Sequence, residues 1–306
     1  MSEESEAAAV AESFAGRIAE RSQRLNSRVC LGIDPRPALH PLTHPDRFSG
    51  DPAKTARGVV HYFQAIVSST SELVACYKLQ SAFFEAMGIP GMIALAQLLA
   101  DLRDSGVPVI LDGKRGDIDS TAAAYAEAYL ADGVFAADAL TVNAYLGLDT
   151  LRPLIAAAAR SGRGLLVVLK TSNPGSADLQ DQRLENGKRV WEHLAAQLHD
   201  LASASLDPHG RSLIGAVVGA TFPEELAEIR RLMPLSLLLV PGFGEQGGGA
   251  PGAAAAFDAG GSAVVSASRS LTYLTDQDDF AERSQQAVIA MRDELNEAVS
   301  ARTATG

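Results

Sequence analysis

The 306-residue chain is 47% hydrophobic and carries a formal net charge of −11. That balance allows a large buried core and argues against a nucleic-acid or anionic-membrane surface, so an anionic ligand must be held by local groups working against the global field. No apolar run approaches the ~20 residues that span a bilayer, and the acidic opening MSEESEAAAVAES lacks the basic-then-apolar order of a secretion signal, which reads as a soluble, cytoplasmic protein.

In chain order, the first ~25 residues read as a helix that closes the N-terminal end of the fold. Strand-like and helix-like segments then alternate. β-rich runs occupy 28–34, 73–80, 107–114, 139–145, 164–172, 213–221, 235–242 and 262–269. Helical spacing covers 54–72, 91–105, 119–132, 188–204, 223–233 and 278–298, with a short alanine-rich piece around 250–259. Near-continuous apolar strands separated by helices imply a parallel sheet covered on its faces, and eight such units imply an α/β fold of the (β/α)8 TIM-barrel type. The expectation is one barrel domain over 1–306, with its core at about 28–300 and an N-terminal capping helix. A doubly wound open sheet, the main competitor, usually has fewer strands and would divide a chain of this length in two. Residues 174–188 form the longest polar insertion and are expected to be a mobile flap, and the tail SARTATG is expected to fray. Cys30 and Cys76 lie inside strand-like runs, as small buried thiols rather than a bridge or a metal pair.

The active site of such a barrel sits at the C-terminal ends of its strands. The polar residues there are Asp34, Lys78, Asp112, Lys114, Asn143, Ser172, Gln246 and Arg269, while the strand interiors are apolar. A concentration of charge at one rim is what a site requires and a packing core does not. The stretch LDGKRGDIDST concentrates it furthest. Asp112 and Lys114, two apart on a strand, should face the same way, with Lys78 on the neighbouring strand near Asp112. Unit charges ~4 Å apart interact by roughly 4 kcal/mol at an effective dielectric of 20, enough to keep each ionised where water is scarce. A structural ion-pair cluster would present the same residues.

GFGEQGGG, from Gly242, contains a G-x-G-x-x-G spacing after a strand. A lone match is weak evidence for a dinucleotide fold, and this one follows the seventh strand rather than the first. Barrels commonly bind phosphate with the loops after strands seven and eight, so the glycine-loop amides, Gln246 and the Arg269 fork read as a phosphate grip. A flexible glycine turn beside a surface arginine is the plainer alternative.

These residues together carry a family resemblance. DGKRGDIDST resembles the D-x-K-x-x-D-I-x-x-T motif of orotidine 5′-phosphate decarboxylases. LGIDPRP is similar to that family's ribose-binding aspartate strand and YKLQSAFFE to its lysine strand. TSNPGS is similar to its pyrimidine loop, PGFGEQGG to its phosphate loop and SASRSL to its phosphate arginine, although some relatives have glycine where Ser268 stands. The matches run in order from residue 28 to 271, and the extra length in 174–210 with DGKRGDI resembles the type 2 subfamily.

The resemblance implies decarboxylation of orotidine 5′-monophosphate to uridine 5′-monophosphate with no metal and no organic cofactor. Lys114 would be proton donor and carbanion-stabilising cation, Asp112 its orienting neighbour beside the departing carboxylate, and Lys78 the partner of Asp112 near a ribose hydroxyl. Asp34 would also hold the ribose, Ser172 the pyrimidine amide edge, and Pro241, Gln246, Gly247, Ser268 and Arg269 the phosphate side. Asp117, with Ile118 and Thr121, would enter the site of the other subunit of a homodimer. Asn143 matches no motif and reads as a local backbone partner. Two other readings stand beside this one: a magnesium-dependent decarboxylase of a sugar-acid phosphate, and a noncatalytic barrel that senses a phosphate ligand.

Overall fold

The computed structural model describes residues 13–243 and 249–305. Eight parallel strands close into a barrel in sequential order: β1 (Val29–Ile33), β2 (Cys76–Gln80), β3 (Val109–Arg115), β4 (Ala139–Val142), β5 (Gly164–Lys170), β6 (Ile214–Val218), β7 (Leu238–Pro241) and β8 (Ala263–Ala267). Pairing of Cys30 with Ser266 and of Leu31 with Ala267 joins β1 to β8 and seals the ring. The helices are α1 (Phe14–Leu25), α2 (Pro52–Thr70), α3 (Ser81–Glu85), α4 (Gly88–Ser105), α5 (Asp119–Leu130), α6 (Arg152–Ser161), α7 (Val190–Ser203), α8 (Pro223–Leu232), α9 (Ala250–Ala253), α10 (Arg269–Thr272) and α11 (Phe280–Thr305). The expected (β/α)8 TIM barrel is therefore the observed fold, with α6 and the short α3 and α10 added to the helices read from spacing.

Local chemistry sets the boundaries. Asp51 caps α2, accepting from the amides of Ala53 and Lys54, with Pro52 at the first helical position where its missing donor costs nothing. α4 stops at Gly106, whose φ of 71° is the left-handed conformation glycine adopts without a Cβ penalty.

Strand side chains split into two cores. Outward residues such as Leu31, Tyr77, Leu111 and Val167 pack under the helices. Inward residues Cys30, Cys76, Ile110, Ala139, Leu166, Val217, Leu239 and Val264 fill the barrel, with Phe14 and Ile18 of α1 plugging its lower end. The capping helix read from the sequence is thus α1, ending at Leu25; residues 1–12, also assigned to it, lie outside the described residues. Two steps further along β2, β3, β4 and β8 the inward positions turn polar: Cys76 is followed by Lys78, Ile110 by Asp112, Ala139 by Thr141 and Val264 by Ser266. Alternation thus builds a dry floor under a polar rim.

The tail expected to fray is helical as far as Thr305. In these last turns of α11 Arg302 holds Asp258 with two bonds, Nε to Oδ1 at 2.5 Å and Nη2 to Oδ2 at 2.6 Å, which ties them to the barrel wall. The 174–188 insertion is rooted in the rim rather than detached from it. Pro174–Asp178 is a short 3₁₀ helix, Gln180 bonds the Thr171 amide and hydroxyl at 2.9 Å each, and Leu184 and Lys188 close a small turn beyond it.

Candidate active site

At the C-terminal mouth of the barrel lies a cavity of about 430 Å³, floored by Val217 and Leu239. That volume suits a small polar ligand. Asp34, Lys78, Asp112, Lys114, Ser172, Pro241, Ser268 and Arg269 all line it, so eight of the residues named from the sequence meet at one place. Their convergence follows from the parallel sheet: each lies near the C-terminal end of its strand or stands just beyond it.

The centre is a chain of alternating charges. Lys78 Nζ lies 3.7 Å from Asp34 Oδ1 and 3.2 Å from Asp112 Oδ2, and Lys114 Nζ donates to Asp112 Oδ1 at 2.6 Å. Burial alone would push the Lys78 ammonium down, but the carboxylates of Asp34 and Asp112 reverse this and raise it above its ordinary value. For Asp112 burial works upward; Lys78 and then Lys114 overcome it and hold the carboxyl down at about 2. Lys78 and Asp112 thus hold each other's charge against a burial that works to remove it.

The two-residue spacing of Asp112 and Lys114 acts through an irregular strand. The register between β3 and β4 slips between Leu111 and Arg115, and Lys114 has a φ of 45°, in the left-handed region. Its amide donates to the Thr141 hydroxyl at 2.9 Å, and that hydroxyl donates to Asp112 Oδ1 at 2.8 Å. The regular alternation read from the sequence put both side chains in the mouth, but it is the bulge that aims them at each other.

Beyond the bulge the chain leaves the barrel. Gly116 passes so near the backbone of Asn143 that a Cβ would lie 2.8 Å from its carbonyl oxygen. Asp117, Ile118 and Thr121 therefore lie outside the cavity of their own barrel: the Asp117 carboxylate accepts from the Ile118 amide at 2.8 Å, Ile118 is 52% exposed and Thr121 is exposed. Asn143 is exposed too, and its side-chain oxygen accepts from the Tyr145 amide at 2.9 Å, a local turn contact as its sequence context suggested.

On the opposite side Ser172 follows β5, and its backbone packs on Gly219, where a Cβ would come within 2.9 Å of the Ser172 amide nitrogen. Pro241 ends β7, while Ser268 and Arg269 follow β8, with Arg269 exposed at the start of α10 rather than inside the strand. Gln246 and Gly247 lie outside the described residues, so the glycine-loop half of the phosphate grip does too.

Four residues at the mouth escaped the sequence reading. Thr141 is fully buried and joins Asp112 to Lys114. Gln80 donates to Asp112 Oδ2 at 3.0 Å. Arg36 lies over the Phe83 ring at 4.6 Å. Lys170, 2% exposed, bonds Asp181 at 2.8 Å and Ser176 at 3.3 Å and so anchors the root of the insertion. Thr141 and Gln80 are each two residues from one already chosen, on the inward face, so strict alternation would have found them.

Comparisons with known proteins bear on the family and the fold. The model of the orotidine 5′-phosphate decarboxylase / HUMPS family matches residues 27–283. The orotidine 5′-phosphate decarboxylase of Rhodopirellula baltica is 41% identical over 298 residues, covering 93% of this chain and 98% of its own. That of Deinococcus radiodurans is 43% identical over 288 residues, covering 94% and 98%. A crystal structure from Streptomyces avermitilis assigned to the same enzyme matches with a TM-score of 0.80 at 33% identity, covering 94% of this chain and 96% of that one.

Proposed function

The chain belongs to the orotidine 5′-phosphate decarboxylase / HUMPS family, and from that premise we infer that it is a carboxy-lyase converting orotidine 5′-monophosphate to uridine 5′-monophosphate in pyrimidine biosynthesis. The observation that carries the assignment of roles is the Asp34–Lys78–Asp112–Lys114 array, four alternating charges linked at 3.7, 3.2 and 2.6 Å at the mouth of the barrel.

The chemical task is to break the bond between the pyrimidine ring and its carboxylate, leave the electron pair on the ring carbon and then protonate that carbon. No part of the ring delocalises the pair, so the stabilisation must come from fixed charge. Lys114 is the cation at that carbon and the donor of the proton. Its side chain is 44% exposed, on the open side of the array, while Asp112 is pinned by Lys78, Gln80 and Thr141. Asp112, unable to retreat, sits beside the departing carboxylate and orients Lys114. Asp34 and Lys78 hold the ribose, Ser172 reads the amide edge of the base, and Arg269 with Pro241, Gln246 and Gly247 holds the phosphate, Ser268 standing between the ribose and phosphate sides. The phosphate grip supplies binding energy remote from the reacting bond, which can be used to close the rim over the base.

Asp117, Ile118 and Thr121 complete the site of a second copy in a homodimer, a reading supported by their standing outside the cavity of their own barrel, with Ile118 exposed. The whole barrel, about 28–300, is the single working domain. A cytoplasmic setting is part of the same proposal, supported by Cys30 and Cys76, which are buried neighbours across the β1–β2 pair and remain unbridged thiols. The chemistry needs neither metal nor organic cofactor. Both carboxylates of the array are already neutralised by ammonium groups, which leaves little charge to attract a divalent cation.

The deciding experiment mixes purified protein with orotidine 5′-monophosphate and follows loss of orotate absorbance, with and without a chelator. Equal turnover in both arms is expected. Activity that vanished with chelator and returned with magnesium would favour the sugar-acid chemistry, and no turnover in either arm a noncatalytic barrel.

A further inference from the structure

Asp34 stands one residue past β1 with its two carboxylate oxygens in different circumstances. Oδ2 accepts a 2.6 Å hydrogen bond from the Ser268 hydroxyl, which belongs to the loop after β8. Oδ1 is buried and has no hydrogen-bond donor, the nearest cation being Lys78 Nζ at 3.7 Å. A buried carboxylate oxygen without a donor is costly unless something supplies one. The third member of this arrangement is Gly32. A Cβ built there would lie 2.2 Å from the Ser268 hydroxyl oxygen and 3.1 Å from its Cβ, so glycine is what gives that hydroxyl its position.

We propose that Ser268 is a positioning residue for substrate: its hydroxyl fixes Asp34 through Oδ2 so that Oδ1 stays aimed at a sugar hydroxyl, in the space left by Gly32. Without that tether Asp34 is free to rotate and close the 3.7 Å gap to Lys78, which would engage the acceptor meant for the sugar and pull Lys78 from Asp112. Ser268 also precedes Arg269, so one short segment sets the sugar contact and carries the phosphate cation. This differs from a direct phosphate contact for Ser268, because its proton is already committed to Asp34. The inference rests on the reading of Asp34 as the ribose ligand.

The test measures, by calorimetry, the affinity of Ser268→Ala, Asp34→Ala and the parent for uridine 5′-monophosphate and for its 2′-deoxy and 3′-deoxy analogues. Ser268→Ala should weaken the ribonucleotide about tenfold, as expected for loss of a hydrogen bond to a charged group. The weakening should disappear for the same deoxy analogue whose binding Asp34→Ala leaves unchanged. Gly32→Ala should imitate Ser268→Ala, and adding Ser268→Ala to it should cost nothing further. Equal weakening towards all three nucleotides would assign Ser268 to the phosphate or to the frame, and no weakening would remove its role; either overturns the proposal. If Asp34→Ala itself discriminates among none of the three, the ribose reading of Asp34 has failed, whatever Ser268 does, and the proposal falls with it.

Discussion

Lys114 reaches Asp112 across a single intervening glycine, donating a 2.6 Å hydrogen bond from a backbone held at a φ of 45°. A side-chain-bearing residue in the left-handed region costs roughly 1–2 kcal/mol, which regular strand geometry would have avoided. Thr141 holds the strained turn by accepting from the Lys114 amide while donating to the same carboxylate oxygen that Lys114 contacts. Strain maintained by its surroundings is common where a reacting group must be aimed.

Lys114→Ala is expected to abolish measurable turnover while uridine 5′-monophosphate still binds. A proton donor alone contributes about 10²–10⁴-fold, and this lysine also faces the developing negative charge. Single-turnover decarboxylation and product calorimetry check both halves. A variant within about tenfold of the parent would move the proton donor elsewhere, with Lys78 the first candidate.

Thr141→Val keeps the shape of a fully buried residue and deletes its hydroxyl. Asp112 then loses one donor and the Lys114 amide its acceptor, a destabilisation of about 1–3 kcal/mol. The catalytic rate constant should fall more than substrate affinity, because the change reaches Lys114 but none of the sugar or phosphate contacts. Denaturant titration and steady-state kinetics measure the two effects, and an unchanged rate constant would show that Lys114 is aimed without Thr141.

Asp117 tests the shared site. Its carboxylate does not line the cavity of its own barrel and accepts from the Ile118 amide at 2.8 Å. Asp117→Ala and Lys114→Ala should each be inactive, while a mixture of the two recovers activity. In a mixed dimer one site carries both lesions and the other neither, so statistical exchange restores about a quarter of all sites. Activity after subunit exchange is the measurement, and no recovery despite confirmed heterodimers would place both residues in one subunit's site.

The ion pairs of Asp112 also set a response to acid. Its carboxyl lies at about 2 in the folded chain against an ordinary 3.8, so the native state binds that proton more weakly than the unfolded state. The resulting stability is complete above about pH 4 and is lost as the pH falls towards 2. Lys78→Met removes the largest opposing charge and leaves burial to dominate, so the loss begins at a higher pH. Circular dichroism during acid titration should show the unfolding midpoint moved upward; an unmoved midpoint would show that Lys78 contributes nothing to the low value.

The eight strands were legible because their apolar runs recur at regular intervals between helical segments, and the rim because polar and charged residues gather at the strands' C-terminal ends. α6 was harder to read, since Arg152–Ser161 is short and starts directly from a 3₁₀ turn. The tail SARTATG looks like a frayed end, and the helix that runs through it to Thr305 includes a contact that local sequence cannot announce, between Arg302 and Asp258, 44 residues away. Lys78, Asp112 and Lys114 announce themselves by charge. Thr141 does not, because a threonine in a strand is ordinary and its importance lies in which two atoms it touches. Lys170 was passed over because Ser172, two residues on, looked like the end of the same strand.

The seam of the barrel also bears on how the chain is made. β1 finds its last neighbour only in β8, and Asp34 meets Ser268 across 234 residues of sequence. On a ribosome, the edge of β1 waits unpaired through most of synthesis, and no nucleotide site can exist before the final strand emerges. Substrate therefore cannot guide early folding; it can only act as a clasp on a finished ring. By the same logic, a truncation just before β8 removes nucleotide binding altogether rather than by an eighth.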